Sequence, residues 1–215
     1  MNNHTPPLIK FHPKVKFELK ELINDLSISL NDIDTSHISD MSSLFKSTKR
    51  TDFSGIENWD VSNVTNMSGM FEGVKSFNQP LSSWDVSRVK NMSYMFANAT
   101  KFNQDISNWN VSNVTDMSWM FAGAESFNQP LNKWNVSKVT KMYRMFYNAK
   151  SFNQSLDNWN ISSSTDISGM MRGASKFFRE LPKSLKNDLK RYNLIYESAS
   201  SYEYKSFKEF LNSLK

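Results

Sequence analysis

Apolar residues recur along this chain with a period of 25: Trp59, Trp84, Trp109, Trp134 and Trp159 stand in one register. The residues between them keep that register. Phe77, Phe102, Phe127 and Phe152 each open a Phe-Asn-Gln segment, Leu81, Ile106, Leu131 and Leu156 follow, and a Met-x-x-Met-Phe core closes the unit, as at Met117, Met120 and Phe121. Val114, Met117, Met120, Phe121 and Ala124 lie at i, i+3, i+6, i+7 and i+10, which predicts one stripe of a short helix. Ser112 stands where such a helix needs an N-cap hydroxyl. Phe102, Gln104 and Ile106 alternate with Asn103 and Asp105, which predicts one short strand per unit. Pro80 and Pro130 lack a ladder donor and keep that strand very short.

A lone helix and a short strand cannot enclose this many apolar side chains, whereas stacked copies can. The expected fold is an α/β repeat solenoid with one short strand and one short helix per 25-residue repeat. Identical residues then form columns from coil to coil. The outermost copies, Ile33 through Phe45 and Ile167 through Phe177, are degenerate, as terminal repeats are. Three regions follow: 1–32, an N-terminal segment with a capping helix around Leu19, Leu22, Ile23 and Leu26; 33–177, the repeats; and 178–215, a basic C-terminal helical cap. In the last region Leu185, Leu189, Leu194 and Ile195 suggest one helix and Phe207, Phe210, Leu211 and Leu214 a second.

Composition narrows the function classes. The chain has 215 residues, 39% hydrophobic and 22% charged, a length suited to one domain or two small ones. With 0 cysteines there is no disulfide scaffold, thiolate metal site or thiol nucleophile. His4, His12 and His37 support no triad or zinc cluster. The net charge of +5 comes almost wholly from residues 176–215, so the neutral repeats lack the basic stripe that nucleic-acid binding requires. No stretch has the length of a signal peptide's apolar region or of a spanning helix, so no membrane insertion is expected and a cytoplasmic location is one expectation.

Asp60 and Asp85 sit where other copies carry Asn110, Asn135 and Asn160, so a side-chain acceptor in a turn explains them better than metal binding or acid–base chemistry. Catalytic residues, metal, cofactor and small-molecule substrate are not expected. Two columns remain as candidate surfaces. The position between Ser118 and Met120 points away from the predicted helical stripe, and its column reads Gly69, Tyr94, Trp119, Arg144, Gly169, with Tyr147 one turn on. Tyr, Trp and Arg are preferred anchors of protein interfaces, so Tyr94, Trp119, Arg144 and Tyr147 form the candidate partner-binding patch, for a protein ligand or for self-association. The second column, Asn78, Asn103, Asn128 and Asn153, lies along the expected concave side. It either holds a partner or bonds its own amides from coil to coil.

The unit FNQxLxxWDVSxVTxMSxMFxxA resembles the roughly 25-residue repeat of the BspA-like bacterial leucine-rich-repeat surface proteins, over about Ile33 to Phe177. The segment KFHPKVKFELKELINDLSISLNDIDTS is similar to their N-terminal cap. That resemblance implies a right-handed, leucine-rich-repeat-like coil and a non-enzymatic role in recognition or adhesion at the cell surface. It transfers no catalytic residues. The alternative is a partner-binding or oligomerising scaffold inside the cell.

Overall fold

The structure is a computed structural model that describes residues 9–156, 158–162 and 164–176. The expected C-terminal cap, 178–215, lies outside the described residues. Helix α1, Lys16–Asn24, turns Leu19 and Ile23 inward onto the first coil. The carboxylate of Glu18 accepts from the Lys14 N–H ahead of the first turn, at 2.6 Å. Lys16 and Lys20 reach the Ser42 hydroxyl and the Leu44 carbonyl. Arg50, 7% exposed, donates to the carbonyls of Ile23, Asp25 and Ile28 and so fastens the end of α1 to the coil beneath it.

Successive repeats are paired in register. Single parallel bridges run from Asp40 to Asn66, Asn91, Asp116, Lys141 and Asp166. The Met-x-x-Met-Phe segment beside each bridge is a chain of turns and not the expected helix. In one coil the N–H groups of Met117, Trp119, Phe121 and Gly123 donate to Lys141, Tyr143, Met145 and Tyr147 of the next, at 2.8, 2.8, 2.9 and 2.7 Å. The intervening N–H groups, of Met120, Ala122 and Ala124, donate three residues back within their own coil. An α-helix would need all of them for i→i−4 bonds. Positive φ at every fourth residue makes the alternation work, for example Trp119 at 59° and Gly123 at 67°. Ser112 is accordingly no helix N-cap: its N–H donates to Asn110 Oδ1 at 3.2 Å.

The Phe-Asn-Gln segment is likewise not a strand. Its coil-to-coil bond is made by a side chain, Asn103 N–H to Asn78 Oδ1 at 2.9 Å, repeated from Asn128 to Asn103 and from Asn153 to Asn128. The amide oxygen replaces a backbone carbonyl as acceptor, so no sheet ladder forms there. Asp60 and Asp85 act in turns, accepting from the N–H of Ser62 and Ser87.

The interior is one continuous core. Phe71, Phe96, Phe121 and Phe146 stack with neighbouring centroids 5.6, 5.8 and 5.5 Å apart. The five register tryptophans are buried, and each indole N–H finds a carbonyl of the preceding coil, which satisfies a donor that would otherwise be stranded among apolar neighbours.

Candidate surface site

The inter-coil hydrogen bonding fixes where side chains leave the core. At the first left-handed position of each turn chain the side chain is directed outward, and there the column runs Ser43, Gly69, Tyr94, Trp119, Arg144, Gly169, with φ between 52° and 61°. Glycine suits this conformation. For other residues it costs roughly 1–2 kcal/mol. Tyr94, Trp119 and Arg144 occupy three consecutive coils between the two glycines, so register alone stacks three planar groups.

Tyr94 and Trp119 lie nearly parallel, with centroids 5.8 Å apart and planes at 12°. The Arg144 guanidinium carbon sits 4.8 Å from the Trp119 ring centre, 5.0 Å from Tyr143 and 5.2 Å from Tyr147. Cation–π attraction of this kind is worth about 0.5–1 kcal/mol at an exposed site and more where water is excluded. Trp119 also meets Tyr143 edge-on and Tyr147 at a tilt, each at 5.6 Å. All four sequence-predicted residues therefore converge. Tyr143 was missed by sequence reasoning, although a signal exists: it replaces the serine of Ser68, Ser93, Ser118 and Ser168.

Beside the stack lies a depression of about 190 Å³. Ala97 and Ala122 form its floor, because these copies carry alanine where the same column has Glu72 before them and Tyr147 after. Asn98 and Asn148 edge it on either side of Gly123. A Cβ at Gly123 would come 2.4 Å from Asn98 Oδ1, so a larger residue at that point must displace the Asn98 side chain. Tyr94 is 40% exposed. Its hydroxyl is pushed above the usual phenol range by partial burial first, then by the negative charges of Glu72 and Asp116 and the neighbouring Tyr143, with Arg144 opposing. The ring stays neutral, a donor as well as an acceptor.

The Asn78, Asn103, Asn128 and Asn153 column behaves differently. The Oδ1 atoms of the first three accept the next coil's backbone N–H, and Gln129 and Gln154 add side-chain donors to Asn103 and Asn128. These oxygens are engaged in holding coil to coil.

Of the histidines, His12 lies 3.1 Å from Asp34. Bonds from Ser36, and then His12, hold the Asp34 carboxyl down at about 2. Among the described residues no group of three or more His, Cys, Asp or Glu could hold a metal ion. Among them, too, no helix is long and apolar enough to cross a membrane.

The family model described as "Mycoplasma protein of unknown function, DUF285" matches residues 17–118 and 84–184 of the chain. No curated protein and no solved structure matches the chain.

Proposed function

We propose that this chain, which belongs to the DUF285 family of Mycoplasma proteins of unknown function, is a non-enzymatic recognition scaffold whose protein ligand docks on Tyr94, Trp119, Tyr143, Arg144 and Tyr147. The stacked coils are read as a leucine-rich-repeat-like solenoid, and the BspA-like motif FNQxLxxWDVSxVTxMSxMFxxA supports adhesion at the cell surface as the setting. One observation carries the reading. Three consecutive copies place Tyr, Trp and Arg at left-handed positions where Gly69 and Gly169 sit without strain. Three bulky side chains held at such positions, and gathered into one cluster, are the mark of a site where stability is given up for function. The cluster also supplies what interface anchors need: rigid aromatic area at low entropy cost, and a guanidinium for direction.

The test is capture by wild type and by a Tyr94→Ser/Trp119→Ser double variant from cell and host extracts, with thermal melts as a folding control. Proteins retained by the wild type and lost by an equally stable double variant are the expected result. An identical captured set from both removes the patch.

A further inference from the structure

The stack of Tyr94, Trp119 and Arg144 is closed at one end and open at the other. At the closed end the Arg144 guanidinium covers Trp119, 4.8 Å from its ring centre. At the other end the column passes to Gly69, which has no side chain to lay on Tyr94. Among the described residues Trp119 is the one ring stacked against Tyr94. Tyr94 is also the most exposed large hydrophobic residue of the described repeats, at 40%.

The root of the skipped place carries polar groups. A Cβ on Gly69 would lie 3.1 Å from Glu72 Oε2 and 3.2 Å from Ser43 Oγ. Ser43 and Tyr94 belong to coils two steps apart, roughly 10 Å, which leaves one layer of the stack between them. Glu72 pairs with Lys46 at 2.9 Å, with the two side chains 26% and 49% exposed. An ion pair this open to water contributes little, so Lys46 is a competitor that a better-placed cation displaces. After burial, the Glu72 charge is what raises the Tyr94 phenol most, with Asp116 adding to it and Arg144 opposing. Carboxylate and ring therefore share one space.

We infer that this niche takes an arginine side chain of the protein ligand, its guanidinium laid on the open face of Tyr94 and bonded to the Glu72 carboxylate; the inference rests on the docking role read for the patch above. The chain itself supplies the template, since it caps the opposite end of the same stack with the guanidinium of Arg144. The charge at the niche is complementary. Arginine is favoured over lysine because its planar group can face a ring and offer paired N–H donors to a carboxylate at once, whereas an ammonium is a compact, strongly hydrated charge. The depression beside the stack is lined by Glu72 and Tyr94 and floored by Ala97 and Ala122, apolar surface for the methylene stem.

Titration of the full chain with acetyl-arginine amide, followed by NMR of isotope-labelled tyrosine and tryptophan rings, tests the inference. The Tyr94 ring should shift saturably. Acetyl-citrulline amide, planar but uncharged, and acetyl-lysine amide should each bind about fivefold more weakly or worse. Glu72→Gln should lose a similar factor with an unchanged melting temperature, and Lys46→Gln, freed of the competitor, should bind about twofold tighter. Absent Tyr94 shifts, equal binding of the citrulline compound, or binding unaffected by Glu72→Gln each overturns the proposal, as do Tyr94 shifts produced by methyl glucoside and not by the arginine amide. Capture from extracts separates this inference from the docking patch. Proteins lost by Tyr94→Ser/Trp119→Ser but fully retained by Glu72→Gln would leave the patch standing and remove the arginine. An identical captured set from all three proteins, beside Glu72-dependent binding of the arginine amide, would keep the guanidinium niche and remove the patch as a docking surface.

Discussion

The indole N–H of Trp109 donates to the carbonyl of Leu81 in the preceding coil at 2.9 Å, while its ring stacks on Trp84 with the planes only 3° apart. One side chain thus fills the core and supplies a hydrogen bond between coils. The same bond recurs at Trp84, Trp134 and Trp159. Register and burial are therefore coupled: a slip of one coil against the next would lose both.

Trp109→Ala should cost about 3–5 kcal/mol, from the cavity and the carbonyl left without its donor. Trp119→Ala should cost under about 1 kcal/mol, because its stacking is worth roughly that much at a half-open surface. Urea melts of the two variants give the comparison, and a larger loss at Trp119 would contradict the placement of both rings.

Gly123→Ala and Gly73→Ala separate backbone strain from steric clash. Both glycines have positive φ, 67° and 75°, but a Cβ at Gly73 meets nothing within 4 Å, whereas one at Gly123 strikes Asn98 Oδ1. Gly73→Ala should therefore lose about 1–2 kcal/mol and Gly123→Ala distinctly more. A second substitution, Asn98→Ala, should recover the difference in the Gly123→Ala background, as read by thermal melts.

Replacing both Asn103 and Asn128 by Asp puts two like charges into the amide column. Each carboxylate still accepts the neighbouring N–H, so the geometry survives and the cost is repulsion. The melting temperature should fall at neutral pH, and the deficit against wild type should shrink as acid neutralises the pair. Unchanged melting together with loss of ligand capture would make the column a binding face instead of a ladder.

The acid limb of stability should depend on Asp34, whose folded pKa is lowered from 3.8 to about 2 by the Ser36 bonds and by His12. A lowered folded value means the stabilisation is complete above the unfolded pKa and is lost as pH falls from about 4 through about 2. Asp34→Asn should flatten part of that slope. Melts at stepped pH values measure it, and an unchanged slope would show that the turn survives protonation.

The 25-residue register, the buried columns and the outward position of Tyr94, Trp119, Arg144 and Tyr147 are all legible in the sequence, because each depends only on which positions are apolar and how far apart they recur. The helix at Met117, Met120, Phe121 and Ala124 was misread for a definite reason. A chain of turns with a left-handed residue every fourth position buries i, i+3, i+4 and i+7 just as a helix does. The two differ in where the backbone N–H groups go. Here every second one goes to a residue 24 positions ahead. The strand expected at Phe-Asn-Gln failed likewise, since the Asn amide bonds across the coil in place of the backbone. Tyr143 and the Ala97–Ala122 depression joined the patch only once coils were set side by side. Local sequence determined the period and the inside–outside pattern. Tertiary structure decided the hydrogen-bond partners, because a backbone donor satisfied by the next coil is no longer free to build a helix in its own.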